Sequence, residues 1–227
     1  NLLRDRDNWI RNREIILRTA SDPNYLSATS ISKADEKIQD DQVFFESKTD
    51  GTEIGRAVHS VLEEIDFKSR ENLSVICNLI AKREGILNRS DEIEELVLSA
   101  CNSRVVERAI KSGNFMKEVP FSVPIPSSNL PERTMEGYID LLFEEEDGLV
   151  VVDYKTDTIS QNNIQEVLSR YRFQGAAYAL GVEKAISKPV KEVVFLFLRS
   201  NREEKIVDLE TGINELKSSI KFVADEG

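Results

Sequence analysis

Residues 133–157 read RTMEGYIDLLFEEEDGLVVVDYKTD, and this segment is the most informative part of the chain. Its pattern predicts two short apolar strands joined by an acidic turn that contains glycine. Each predicted strand carries a carboxylate inside its apolar run, Asp140 in the first and Asp153 in the second, and Lys155 follows two residues later. Because side chains alternate between the faces of a strand, we expect Asp153 and Lys155 to project to the same side.

Charged side chains within apolar strands need partners, because an unpaired buried charge is costly. A single Asp or Lys near the end of a strand is more often a solvated residue that leads into a turn. Two carboxylates and an ammonium group at the ends of paired strands would instead form a divalent-metal site with a lysine beside it. Such a site suits the hydrolysis of a phosphodiester.

The composition is that of a soluble protein with one domain, and it limits the possible functions. The 227 residues are 40% hydrophobic and 31% charged, with no apolar run long enough to span a membrane and no signal-peptide pattern, so we expect a cytoplasmic protein without membrane contact. The chain begins at Asn1, which suggests a piece of a longer protein. Cys77 and Cys101 lack metal-site spacing and are expected to be small buried residues. The net charge of −11 argues against a general nucleic-acid coat, so DNA binding would need a local basic patch or a bound metal.

The order of predicted elements indicates a mixed sheet flanked by helices, in the α/β class. We divide the single domain of 1–227 into an N-terminal extension (1–50), a helical part (51–112) and a sheet core (113–227). The extension contains a predicted helix over the first twenty residues, a turn-rich stretch at 21–30 and a loop at 35–50. Further helices are predicted at 52–67, 71–84, 91–112, 164–186 and 213–223, and strands at 115–126, 193–199 and 205–210, besides the two strands with carboxylates.

Two further motifs place polar groups on helix faces. Gly55 and His59, in GRAVHSVL, are four residues apart and share one face, where the glycine would let another backbone approach. A lone helical histidine is more often packed or half exposed than a ligand, but beside two carboxylates it becomes a candidate metal ligand. Gln174 and Tyr178, in YRFQGAAYAL, share a face with Arg170. They form either the polar edge of an amphipathic helix or a surface that binds a nucleic-acid strand.

The ordered set GxxxH (Gly55–His59), GYIDLLF, VVDYKTD and QxxxY (Gln174–Tyr178) resembles the RecB and AddA-type nuclease domains of the PD-(D/E)XK superfamily. The resemblance covers residues 25–200 and implies a restriction-endonuclease-like fold. It also implies a role in DNA end processing and recombinational repair, as the nuclease domain of a helicase–nuclease. The helicase would lie in the same parent chain or in a partner protein, since this chain lacks GxxxxGK[ST].

The resemblance also implies roles for single residues. The metal ligands would be His59, Asp140, Asp153 and the carbonyl oxygen of Tyr154, and Lys155 would act in catalysis together with the two aspartates. Arg170, Gln174 and Tyr178 would bind DNA, while Glu118 and Gly55 would support the site. The ion would be Mg²⁺ or Mn²⁺, and no iron–sulfur cluster is expected, because its four cysteines are not present. The alternatives are an inactive DNA-binding or scaffolding module of the same fold and, less favoured, a small-molecule phosphohydrolase.

Overall fold

The computed structural model describes residues 25–27, 52–125, 133–159, 164–206 and 208–216. The helices are α1 (Glu53–Glu64), α2 (Leu73–Arg83), α3 (Ser90–Cys101), α4 (Arg104–Ser112), α5 (Ile164–Ile186) and α6 (209–216). The strands are β1 (Tyr25–Ser27), β2 (Phe115–Ile125), β3 (Arg133–Glu145), β4 (Gly148–Lys155), β5 (Val190–Phe197) and β6 (Arg202–Lys205). Among the residues described, no helix combines the length and apolar character needed to cross a bilayer.

The described strands form one mixed sheet in which β3 pairs with β1, β2 and β4. Strand β2 runs antiparallel to β3 along residues 133–143 and occupies one of its edges. The other edge is therefore shared by β1, which pairs in parallel at residues 134–136, and by β4, which pairs antiparallel at residues 141–145. The sheet continues from β4 to β5 in parallel, through the crossover helix α5, and then to β6 antiparallel.

Helices cover both faces of the sheet, so its central strands are buried on two sides. Helices α1 to α4 pack on one face, against Phe143 and Val152 among others. Helices α5 and α6 pack on the opposite face, where Phe195 and Phe197 contribute large side chains. Strand β4 is buried along almost its whole length, and for this reason its sequence is a continuous apolar run rather than an alternating one. The predicted mixed sheet flanked by helices is confirmed.

Most predicted elements are present, but the helix predicted over 91–112 is wrong in one respect. It is interrupted at residues 102–103 and forms α3 and α4. Ser103 has an extended backbone conformation, and its hydroxyl accepts a hydrogen bond from the N–H of Val106. A serine at this position satisfies one of the N–H groups that a helix start leaves free, so the new helix begins there.

Two other expectations need correction. The strand predicted over 205–210 is wrong, because β6 ends at Lys205 and α6 begins at 209. Asp208 explains the change, since its Oδ1 accepts a hydrogen bond from the N–H of Thr211 in the first turn of α6. The closing helix therefore begins before residue 213. The turn-rich stretch at 21–30 contains strand β1, and the predicted helix over 1–20, the loop at 35–50 and the end of the closing helix lie outside the described residues.

The alternation of side chains breaks at the same level in β2 and β3. In β2, Phe115 packs toward helices α1 to α4 whereas Val119 packs toward α5, although an even spacing places both on one face of a regular strand. In β3, Ile139 packs toward α5 and Leu141 toward α1 to α4. Between these positions, the odd-numbered side chains of each strand therefore change from one face of the sheet to the other.

Glu118 and Asp140 face each other at this break. The cross-strand register is the same before and after it, so neither strand gains a residue relative to the other. Glu118 has a φ of +48°, in the left-handed region that residues other than glycine rarely adopt. We call this feature the paired break; it places two carboxylates side by side where each strand changes face.

Helix α5 approaches β2 closely at Gly181. A Cβ atom on Gly181 would lie 2.4 Å from Cδ2 and 2.5 Å from Cε2 of the buried Phe121 ring. Gly212 in α6 differs, since its Cβ would meet the Cβ of Ala176 at 3.6 Å, an ordinary contact. The two helical glycines therefore form a matched pair.

We expect Gly181→Ala to be less stable than Gly212→Ala by about 1–3 kcal/mol, because only the first overpacks the core. Both variants gain about 1 kcal/mol of helix propensity, so the difference isolates the contact with Phe121. Urea unfolding followed by circular dichroism measures both free energies. Equal stabilities would show that the ring moves aside without cost.

Candidate active site

Strands β3 and β4 separate at the point where their carboxylates lie. Their ladder runs from the connecting turn to the pair Leu141–Val152 and ends there. Asp140 and Asp153 are the next residues on the two strands, and they are only 8% and 3% exposed. We call this position the strand fork.

At the strand fork, the side chain of Asp140 takes the place of the missing backbone ladder. Its Oδ2 accepts a hydrogen bond of 2.6 Å from the N–H of Tyr154, and its Oδ1 lies 3.0 Å from Nδ1 of His59. The second ring nitrogen of His59, Nε2, lies 3.1 Å from the carbonyl oxygen of Tyr154. These contacts join α1, β3 and β4 in a closed ring of hydrogen bonds.

The His59 ring carries a positive charge in this arrangement. Both of its neighbours, the Asp140 carboxylate and the Tyr154 carbonyl, are acceptors, so both contacts are hydrogen bonds only when both ring nitrogens carry a hydrogen. Burial lowers the pKa of His59, but the charge of Asp140 and its hydrogen bond outweigh burial, with help from Asp153 and Glu118, and raise the pKa to about 9. The imidazolium offsets part of the acidic charge at the fork.

Helix α1 begins beside the end of β4, and this brings His59 to the fork. Thr52 caps the helix by accepting a hydrogen bond of 3.2 Å from the N–H of Gly55. A Cβ on Gly55 would lie 3.3 Å from Oγ1 of both Thr52 and Thr156. The expectation that Gly55 admits another backbone is therefore corrected, because the groups it admits are two threonine hydroxyls.

Asp153 and Lys155 both project toward α5, as the alternation along β4 predicts. The Nζ of Lys155 lies 2.7 Å from Oδ2 of Asp153 and donates a hydrogen bond of 3.0 Å to Oε1 of Gln174. The Nε2 of Gln174 donates to the hydroxyl of Tyr178 at 2.8 Å, and that hydroxyl donates to Oδ1 of Asp153 at 3.0 Å. These four side chains form a second closed ring.

The second ring explains why Gln174 and Tyr178 are four residues apart. Both are buried, and their polar atoms contact Lys155 and Asp153. Burial raises the pKa of Tyr178 well above its usual value, as do the charges of Asp153 and Asp140, so the phenol remains a donor. The contact of this pair with a nucleic-acid strand stays a prediction. Arg170 lies in α5, but its side chain is outside the described residues.

Asp153 is in a place that favours a nearby cation. Burial raises the pKa of Asp153; Lys155 opposes this shift, and the charge of Asp140 adds to it. Its buried Oδ2 lies 2.7 Å from the ammonium group of Lys155, so one cation already contacts this carboxylate. A cation beside Asp153 relieves the repulsion between the two carboxylates.

The paired break adds a third acidic residue. One ligand atom each from His59, Glu118 and Asp140 lie within 4.8 Å of one another, and no other such group of metal-ligating side chains occurs among the residues described. Carboxylates with one imidazole suit hard ions such as Mg²⁺ or Mn²⁺. Glu118, expected only to support the site, thus stands with the candidate ligands. Asp153 lies outside this group, so its role as a ligand stays a prediction.

Sequence reasoning missed Tyr171. Its ring centroid lies 4.2 Å from the Nζ of Lys155, and its hydroxyl donates to Oδ2 of Asp157 at 2.8 Å. Tyr171 precedes Gln174 by three residues and Tyr178 by seven, so the helical period places all three on one face of α5. This helical spacing could have identified Tyr171 from the sequence.

Two diverging strands with buried carboxylates, the second reading D-x-K from Asp153 to Lys155, define a class of nucleases. The family model of the PD-(D/E)XK nuclease superfamily matches residues 33–225. The chain belongs to this superfamily, as the sequence motifs indicate, and its fold is the restriction-endonuclease-like one expected.

Curated relatives extend the comparison. The chain is 30% identical over 214 residues to an ATP-dependent helicase/nuclease subunit of Clostridium botulinum (strain Loch Maree / Type A3), covering 80% of this chain and 17% of the relative. A protein of the same name from Clostridium novyi (strain NT) is 29% identical over 177 residues, covering 71% of this chain and 14% of the relative. The expected resemblance to helicase–nucleases is confirmed. The chain spans only about a sixth of the length of these relatives.

The left-handed backbone of Glu118 costs about 1–3 kcal/mol in a residue with a Cβ. We therefore expect Glu118→Gly to be more stable than Glu118→Ala by about 1 kcal/mol, although alanine normally exceeds glycine by about 0.5–1 kcal/mol. Both variants remove the carboxylate, so only the Cβ differs between them. Urea unfolding with a chelator present measures the difference.

Ser122, an exposed residue of the same strand, supplies the control. There we expect the alanine variant to be more stable than the glycine variant. If alanine is the more stable residue at position 118 as well, the backbone at the paired break is not strained.

Proposed function

We propose that this chain is a metal-dependent nuclease domain that hydrolyses phosphodiester bonds in DNA. The observation that carries the proposal is the strand fork, which buries Asp140 and Asp153, pairs Lys155 with Asp153 and places His59 beside Asp140. Membership of a nuclease superfamily supports the reaction. The names of the relatives, which are helicase/nuclease subunits, support DNA as the substrate.

We propose that the fork binds Mg²⁺ or Mn²⁺ through His59, Glu118, Asp140 and Asp153, with the carbonyl oxygen of Tyr154. The ligand atoms of His59, Glu118 and Asp140 lie close together, and the carboxylate of Asp153 is buried at the same fork. Such an ion, when bound, polarises a phosphodiester and lowers the pKa of a bound water. His59 must lose a ring proton to serve as a ligand, because a metal binds neutral imidazole.

Lys155 is the proposed catalytic donor. Its ammonium group is held at the fork by Asp153 and Gln174, so little reorganisation is needed before it acts on charge that develops on the phosphate. Tyr178 completes this support by fixing both Asp153 and Gln174. The Gln–Tyr pair therefore acts, in our proposal, on the position of catalytic groups, in addition to any contact with DNA through α5.

We further propose that the domain works beside a helicase, in DNA end processing and repair. Its relatives are named as ATP-dependent, whereas this sequence has no GxxxxGK[ST] motif. ATP-driven movement must then come from another part of the same polypeptide or from a partner. A separate motor also compensates for the net charge of −11, because it can deliver DNA that the acidic surface attracts poorly.

The proposed activity is tested with labelled single-stranded and duplex DNA in Mg²⁺, in Mn²⁺ and in chelator. We expect metal-dependent cleavage, which is lost in Asp153→Ala. Lys155→Ala is expected to lower the cleavage rate by about two to three orders of magnitude, the usual effect of removing one preorganised donor, while DNA binding is retained.

Controls keep these outcomes distinct. Lys111→Ala removes an exposed lysine of α4 whose ammonium group pairs with Glu107 on the same helix, and this variant is expected to cleave at the wild-type rate. Cleavage by Lys155→Ala at that rate would remove the lysine from the mechanism. DNA binding without metal and without cleavage would favour the inactive DNA-binding module instead.

Glu118 gives a test of the cation site that does not need activity. We expect Glu118→Gln to weaken Mn²⁺ binding at least about tenfold, since even partners beyond the ligands change metal affinity by 10–100-fold. Titration calorimetry measures the affinity, and Glu107→Gln, which changes an exposed carboxylate of α4, is the matched control. An unchanged affinity would exclude Glu118 from the site.

A further inference from the structure

Tyr171 covers a side of Lys155 that the second ring leaves open. Lys155 is only 14% exposed, and two polar neighbours, Asp153 and Gln174, contact its ammonium group. The ring of Tyr171 lies 4.2 Å from the same Nζ, and the ring of Phe195 lies 5.6 Å from it. The ammonium group is therefore enclosed by two polar groups and two aromatic rings.

The contact with Tyr171 restricts where Lys155 can point. A cation within about 6 Å of an aromatic face is attracted to it, and the attraction increases when water is excluded. A lysine side chain has four flexible carbons, so a ring against its end group limits the conformations it samples. The ring of Tyr171 is itself held by Phe195, with centroids 5.2 Å apart.

The hydroxyl of Tyr171 makes a second, separate contact. It donates to Oδ2 of Asp157 at 2.8 Å, two residues after Lys155 and beyond the end of β4. This bond is exposed to solvent, so it contributes less than a buried one. The ring and the hydroxyl thus act on different parts of the segment 155–157, and substitutions can separate them.

We propose that Tyr171 is a positioning residue of the nuclease, whose ring keeps the ammonium group of Lys155 at the strand fork. This inference rests on the proposed nuclease function. Tyr171 need not touch the substrate, since its effect passes through Lys155. A phenylalanine at this position keeps the contact between the ring and the ammonium group, whereas a leucine, which is apolar but has no ring, loses it.

Steady-state and single-turnover cleavage by Tyr171→Leu and Tyr171→Phe tests the proposal. We expect Tyr171→Leu to lower kcat about tenfold with KM unchanged, the order of one desolvated cation–π contact. Tyr171→Phe is expected to recover most of that rate. Equal loss in both variants, or no loss in either, would overturn the proposal.

A double-mutant cycle with Lys155 separates positioning from a general structural effect. If Tyr171 acts through Lys155, adding Tyr171→Leu to Lys155→Ala lowers the residual rate no further. The same tenfold loss in both backgrounds would show that Tyr171 supports the fold rather than the lysine.

A labelling experiment keeps this inference separate from the proposed function. The protein is treated with a small amine-reactive reagent, and mass spectrometry reports the fraction of Lys155 that is modified. Lys111, which is 71% exposed, serves as the internal reference. We expect slow labelling of Lys155 in the wild type and in Tyr171→Phe, and faster labelling in Tyr171→Leu. If the wild type cleaves no DNA but labelling follows this order, only the nuclease proposal fails. If labelling is equal in all three proteins, the positioning role fails even when DNA is cleaved.

Discussion

Two carboxylates are buried where two strands separate, and the rest of the structure serves the requirement that each has partners there. A buried carboxylate without partners costs several kcal/mol, and a second one nearby adds repulsion. Asp140 and Asp153 meet the requirement by different means. Asp140 binds a backbone N–H and the imidazolium of His59, whereas Asp153 binds the ammonium of Lys155 and the hydroxyl of Tyr178. Each carboxylate therefore has its own cation and its own hydrogen-bond donor.

The partners come from opposite faces of the sheet, which links the site to the whole fold. Helix α1 supplies His59 from one face, and α5 supplies Gln174 and Tyr178 from the other. Neither helix alone could satisfy both carboxylates, because the sheet lies between them. The fork is the place where the backbone ladder opens, so side chains from both faces can meet there. A single helix on a single face would leave one carboxylate without support.

Local patterns in the sequence predicted most of this arrangement. The period of two placed Asp153 and Lys155 on one face, and the period of 3.6 placed Gln174 and Tyr178 on another. No local pattern shows that these two faces meet, since the contacts join residues 19 and 25 positions apart across a crossover. The motif resemblance placed both pairs in one site but assigned the Gln–Tyr pair a role in DNA binding. In the structure, the polar atoms of this pair contact Lys155 and Asp153.

Other features escaped prediction because they depend on single residues in a tertiary setting. Ser103 begins a new helix inside a continuous apolar period, and Asp208 begins one where a strand pattern continues. The paired break is harder still to predict, because the alternation in β2 and β3 continues in sequence while the structure turns over. The position of Glu118 depends on that break, and only the structure shows that Glu118 lies beside His59 and Asp140.

The charges at the fork explain why Glu118 is placed there at a conformational cost. With His59 protonated, two cations face the three carboxylates of Glu118, Asp140 and Asp153, which leaves one negative charge. Loss of the ring proton from His59 leaves two negative charges, which a divalent cation would balance. Without Glu118, each carboxylate would already be neutralised by its own cation, and an added ion would gain little. In the proposed metal-bound state, the additional negative charge of Glu118 would favour a divalent cation over the proton on His59.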